Sequence, residues 1–170
     1  MKEDIPPLSG IVEIDDTYVG GRKKNSPGHS GRGSEGKTII FGTVERKGRI
    51  KLEVVPNLQK KTVAPILQNN VEPGTKIMTD EFAAYKRFGS LGYSQESVTH
   101  KTGEYVRGEV HTNSIEGFWS QLKRSITGTY HSVSRQHLGA YADVFAFRYS
   151  HRADLTPLPV TLFSSVARQV

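Results

Sequence analysis

The sequence predicts an α/β domain of five strands, the first three forming an antiparallel meander, with helices flanking the sheet. Two observations predict it. Three early stretches are short and rich in Ile, Val and Thr, with a tight turn joining the last two, and beyond them helix-like and strand-like stretches alternate. Near the end, His111 to Arg124 (HTNSIEGFWSQLKR) begins a helix with two unlike faces. Ile115, Phe118, Trp119, Leu122 and Ile126 recur at the spacing of a buried apolar stripe, and Glu116, Ser120, Lys123 and Thr127 lie along the other side. Glu116 and Lys123 are two turns apart there, about 10 Å along the axis.

Residues 1 to 9 read as a tether. Gly10 to Val19 is the first strand and ends in the acidic pair Asp15 and Asp16, which point to opposite faces of a regular strand, so at most one joins a given site. Both also read as strand-end charges facing water. Gly20 to Lys37 is a Gly- and Ser-rich loop with five Lys or Arg and one acidic residue. Counterion release makes such loops phosphate binders, and a merely soluble loop has the same composition. Lys37 to Glu45 and Arg49 to Val55 form a hairpin across Lys47 and Gly48, and Pro56 ends it. Thr62 to Asn70 is a short helix in which Pro65 is tolerated only in the first turn.

Glu72-Pro73-Gly74 turns the chain into a fourth strand, Thr75 to Thr79, followed by Asp80 and Glu81; Asp80 either joins a site or caps the helix EFAAYKRF. Tyr93 to His100 is the fifth strand, and KTGEYVRGEVH, with Lys101 and Arg107, leads into the two-faced helix. At that helix start Asn113 can be the N-cap and Glu116 the N3 residue of a capping-box-like turn. Trp119, lying in the apolar stripe, is expected to be buried rather than stacked on a base. A last helix, Ser134 to His151, places Leu138, Tyr141, Ala142, Phe145 and Tyr149 on a core stripe. Residues 10 to 152 thus form one domain and 153 to 170 a tail.

Bulk properties bound the function. At 170 residues the chain is long enough for one domain with a real core. Lys and Arg exceed Asp and Glu by 23 − 17 = 6, which favours a polyanionic partner and says nothing about a reaction. With no cysteine, disulfides, a thiol nucleophile and a Cys-ligated zinc ribbon are excluded within these residues. MKEDIPPLSG has no apolar signal-peptide segment and no long apolar run follows, so a cytoplasmic protein is expected. Gly31 to Thr38 (GRGSEGKT) matches the phosphate-loop pattern of a nucleotide triphosphatase, but that motif needs a strand before it and a helix after, and the TIIFGTVE that follows is strand-like.

Three ordered blocks carry more: IDDTYVGG from Ile14, TDEFAAY from Thr79, and HTNSIEGFWSQLKR from His111, with 35 residues between Asp80 and Glu116. Together they resemble the DDE transposases of bacterial insertion sequences, whose catalytic domain has the ribonuclease H-like fold shared with retroviral integrases. The resemblance runs from about Gly10 to Arg152. It implies a five-stranded mixed sheet whose fourth strand runs beside the first, bringing Asp15 and Asp80 together. It selects Asp15 over Asp16, adds Glu116 as third metal ligand and Asn113 as its support, and sets His111 beside the site. Lys123 and Arg124, seven and eight positions beyond Glu116, are implied to hold DNA phosphates. Arg22, Lys23, Lys24 and Arg32 of the basic loop are further candidates for DNA contact.

Three carboxylates brought to one place repel, and two divalent cations relieve the conflict. Mg²⁺ suits an all-oxygen site, with Mn²⁺ as substitute, and two such ions about 4 Å apart support in-line phosphoryl transfer. The resemblance therefore implies strand cleavage and strand transfer on the ends of a mobile element and on target DNA, by an oligomer that joins two ends. Such transposases usually carry an N-terminal region that reads the inverted repeats, whereas this chain starts almost at the first catalytic strand, so end recognition is not expected from these residues. A DNA-binding remnant without turnover is the alternative, and a carboxylate-pair glycosidase leaves the basic loops without purpose.

Overall fold

The computed structural model describes residues 6–20, 37–80, 88–98, 111–129 and 133–154. Strands β1 (Ile11–Val19), β2 (Thr38–Glu45), β3 (Ile50–Val55), β4 (Lys76–Asp80) and β5 (Ser94–Val98) form one sheet in the order β3-β2-β1-β4-β5. The first three are antiparallel neighbours, and β4 and β5 run parallel to β1. This is the mixed sheet with the meander first that the sequence predicts. Helices α1 (Lys60–Asn70), α2 (Asn113–Thr129) and α3 (Leu138–Ser150) complete the described elements, with a 3-10 turn at Phe88–Leu91. Of the expected helix EFAAYKRF, residues 81–87 lie outside the described residues.

Alternation along the strands divides the core in two. Val12, Ile14, Phe41 and Ile77 face one way and pack with Val63 and Leu67 of α1, Phe88 and Tyr93. Val19, Ile40, Val44, Ile50 and Leu52 face the other way, against α2 and α3. The buried residues of α2 are Ile115, Phe118, Trp119, Leu122 and Ile126, the five of the predicted stripe. On α3 the stripe is rotated from expectation, with Leu138, Ala142, Ala146 and Phe147 buried and Tyr141, Phe145 and Tyr149 half-buried. That helix also starts later than predicted: Ser134 accepts from the His137 and Leu138 amides, so a separate turn precedes it.

Two departures have local causes. Helix α1 begins two residues early because Asn57 Oδ1 accepts from the Gln59 amide at 3.0 Å and the Thr62 hydroxyl at 2.7 Å. Pro65 therefore falls in the second turn, not the first; it and Lys61 are exposed, so the Lys61 carbonyl left without its helical donor lies on the solvent side. Within the segment read as a tether, Leu8 is fully buried and bridges Val71, its amide donating to the Asn70 carbonyl at 2.7 Å. No helix among the described residues is long and apolar enough to cross a membrane.

Candidate active site

Strand alternation settles which of the two adjacent carboxylates meets α2. Glu13, Asp15, Thr17 and Val19 lie on the α2 side of β1, and Asp16 on the opposite side, with Ile14. Asp15 sits opposite Gly42 of β2. On its other flank the parallel register with β4 ends at the pair Ile14 and Thr79, and one step further sets Asp80 beside Asp15 on the same face. The sheet thus brings together two of the three predicted carboxylates, Asp80 at the end of β4 and Asp15 in the middle of β1, which does not end at its acidic pair as expected but stays paired with β2 as far as Val19.

Asp15 is tied to α2 by the indole of Trp119, whose Nε1 donates to Asp15 Oδ2 at 3.1 Å. Trp119 is 4% exposed, so the expectation of burial holds, with a polar contact that the apolar stripe did not suggest. Burial pushes the Asp15 carboxyl from its ordinary 3.8 up to about 7; the Asp16 and Asp80 charges add to the rise, while the Asp16 amide and the Trp119 indole oppose it.

Space for the indole exists because residue 42 is glycine. A Cβ there would lie 2.7 and 2.8 Å from the Trp119 ring and 3.1 Å from Ile115 Cδ1. Gly42→Ala should therefore displace the indole from Asp15 and lower stability by roughly 1–3 kcal/mol, the usual cost of overpacking. Trp119 is the one tryptophan of the chain, so its emission reports the displacement directly; an unshifted spectrum and an unchanged urea midpoint would show that the ring has room after all.

Glu116 stands in the first turn of α2, exposed, and Thr112 Oγ1 donates to its Oε1 at 2.7 Å. The cap is arranged differently from the expectation. Asn113 is the first residue of α2, exposed, and the contact to the Glu116 carboxylate comes from buried Thr112. The amides of Ser114 and Ile115, unpaired within the helix, donate instead to Glu13 Oε2 at 2.8 and 3.1 Å. Among the described residues no group of three Asp, Glu or His is close enough to hold a metal: Asp15 and Asp80 are neighbours, and Glu116 is held at the helix start.

His111 is half-buried just before the helix, its Nδ1 at 3.4 Å from Glu13 Oε1 and its carbonyl accepting from Arg46 at 2.8 Å. Lys123 and Arg124 are exposed further along α2. Arg22, Lys23, Lys24 and Arg32 lie outside the described residues, as do Lys101 and Arg107. Thr38, the last residue of the phosphate-loop match, opens β2, so a strand stands where that motif requires a helix; Gly31 to Gly36 of the match lie outside the described residues.

Four residues of this region escaped sequence reasoning: Glu13, Gly42, Arg46 and Thr112. Glu13 alone left a signal, a charged residue two positions before Asp15 on the face of a strand otherwise buried. Gly42, Arg46 and Thr112 are ordinary residues of a strand, a hairpin turn and a loop until the helix is docked upon them.

The fold and the carboxylate pair first define a class. The structure is similar to the catalytic core domain of BIV integrase, with a TM-score of 0.56 over 95% of this chain and 99% of that one at 17% identity, a likeness of fold, which is ribonuclease H-like. The sequence then places the chain within a family: residues 7–150 match the ISXO2-like transposase domain, and the chain belongs to that family. It is 31% identical over 158 residues to an uncharacterized protein in transposable element ISH50 of Halobacterium salinarum, covering 84% of this chain and 53% of that protein. A transposase-like protein of Haemophilus influenzae is 26% identical over 105 residues, covering 62% of this chain and 84% of that protein. The chain thus spans about half the length of the Halobacterium relative.

Proposed function

We propose that this chain is the catalytic core of a DDE-type transposase, cleaving DNA strands at the ends of an insertion sequence and joining them to target DNA. One observation carries the reading: Asp15 in the middle of β1 and Asp80 at the end of the adjacent parallel strand β4 stand side by side, on the face covered by the helix that bears Glu116. A carboxyl pushed up to about 7 by burial beside a second carboxylate is the chemistry that a divalent cation relieves, so the pair fits Mg²⁺ or Mn²⁺. Asp15 and Asp80 are the residues that would hold one ion, and Glu116 would complete the site for a second. When bound, such a pair of ions supplies activation of a water or 3′-hydroxyl and stabilisation of the departing oxygen at a phosphodiester.

The chain's own residues orient the rest. Trp119, donating to Oδ2, and the Asp16 amide hold the Asp15 carboxylate in place. Lys123 and Arg124 offer phosphate contacts along α2, with His111 and Arg22, Lys23, Lys24 and Arg32 as further DNA contacts. Asn113, exposed in the same first turn of α2 as Glu116, is assigned a supporting role in the site, while Thr112 holds the Glu116 carboxylate. DNA ends and target DNA are the partners, two copies of the chain act together, and the setting is cytoplasmic.

The test is nicking of supercoiled plasmid and joining of a labelled oligonucleotide with a free 3′-hydroxyl, in Mg²⁺ or Mn²⁺, for the native chain and Glu116→Gln. Metal-dependent products from the native chain and a drop of about a thousandfold in the variant are expected. Equal activity in both would remove Glu116 from the chemistry. DNA binding without products in either would leave a binding remnant.

A further inference from the structure

We propose that Glu13 is a positioning residue: from β1 it fixes the start of α2, and so sets where Glu116 stands relative to Asp15. This deepens the three-carboxylate reading and rests on it. Glu13 is fully buried, two residues before Asp15 on the same strand face. Both of its oxygens are used. Oε2 accepts from the Ser114 and Ile115 amides, and Oε1 accepts from Arg46 Nε at 2.8 Å and the Ser114 hydroxyl at 3.0 Å. Arg46 extends the tie, its second nitrogen donating to the His111 carbonyl at 2.8 Å and its own amide to the Ile11 carbonyl at 3.0 Å. One carboxylate and one guanidinium thus join β1, the β2–β3 turn, the entry loop and the first turn of α2.

Satisfying a helix start does not need this. A Ser, Thr, Asp or Asn at the N-cap does so locally, without burying a charge. Here the acceptor comes from a strand 101 residues away in the chain, which couples the helix to the sheet rather than merely finishing it. The apolar stripe cannot do the same, because burial is non-directional and tolerates a slide along the helix axis, whereas paired hydrogen bonds to successive amides fix the register. Glu116 follows Ile115 directly, so its backbone position is set at those bonds. A displacement of about 1 Å at a catalytic group can lower a rate on the order of a hundredfold.

The test compares Glu13→Gln, Arg46→Met and the double variant Glu13→Gln/Arg46→Met by urea unfolding, Mn²⁺ binding from water-proton relaxation, and strand joining. The double variant removes both charges, and we expect it to regain most of the urea midpoint lost in Arg46→Met. Its strand joining should stay about a hundredfold below native, with at least a tenfold loss of the Mn²⁺ binding that depends on Glu116. Recovery of stability, Mn²⁺ binding and joining together would reduce Glu13 to a counter-ion for Arg46 and overturn the proposal. If the double variant does not fold, Glu13→Asp carries the same test, since it keeps the charge and shortens the reach; native-like joining by that variant would overturn it equally. A native chain that neither joins strands nor binds Mn²⁺ through Asp15 would bring down the three-carboxylate reading itself, and this proposal with it.

Discussion

Asp15→Asn should make the protein more stable and abolish the proposed strand joining. In the folded chain the Asp15 carboxyl keeps its proton up to about pH 7, and in the unfolded chain only up to its ordinary 3.8. Between those values the native state binds more protons than the unfolded state, so stability falls as pH rises from about 4 to about 7 and stays low above that. At about 1.4 kcal/mol per pH unit the cost near pH 8 without metal reaches roughly 4 kcal/mol. Asparagine keeps the shape and carries no charge to desolvate. With EDTA at pH 8 its urea midpoint should therefore exceed the native one, and near pH 4 the two should converge. Adding Mn²⁺ should raise the native midpoint at pH 8 and leave the variant unmoved. Strand joining should fall about a thousandfold, the several kcal/mol that a bound ion contributes to a phosphoryl-transfer transition state. A variant less stable than native at pH 8 would mean that Asp15 sits in a site already compensated by the protein.

The second large effect lies a strand away. Arg46→Met should destabilise the fold by roughly 3 kcal/mol, because it leaves the Glu13 carboxylate in the core without its cation and also frees the His111 carbonyl. The comparison is Arg49→Met in the same hairpin. Arg49 meets Glu45 at 3.4 Å with its side chain 34% exposed, against 16% for Arg46 and none for Glu13. An exposed pair of that kind contributes about 0–1 kcal/mol. Urea titrations of the two variants side by side should separate them clearly. Equal midpoints would show that Glu13 is supported by the α2 amides alone.

Much of the sheet was legible because its signals are local. The β-branched runs, the Lys47-Gly48 turn and the apolar periodicity of α2 each lie within a dozen residues, and the structure returns all three, down to the five buried residues of α2. Pro65 and the start of α3 differ from expectation because Asn57, outside the periodic segment, sets the start of α1, and because the Ser134 carbonyl closes a separate turn on the His137 and Leu138 amides within the stretch read as helix. At the site, the meeting of Asp15 and Asp80 was expected from the resemblance to transposases, and the parallel register supplies the physical reason. What escaped is everything that depends on the docking of α2 against the sheet. Gly42 matters only once Trp119 lies above it, and Glu13 caps a helix that begins a hundred residues later. No window of sequence contains both partners of either contact.

The Asp15–Asp80 metal site is tested most directly by diffraction from crystals soaked in Mn²⁺, with an anomalous difference map for the native chain and for Asp80→Asn. A Mn²⁺ peak is expected between the Asp15 and Asp80 carboxylates in the native chain and none there in the variant. A peak that persists without the Asp80 carboxylate, or that lies away from Asp15 and Asp80, would contradict it.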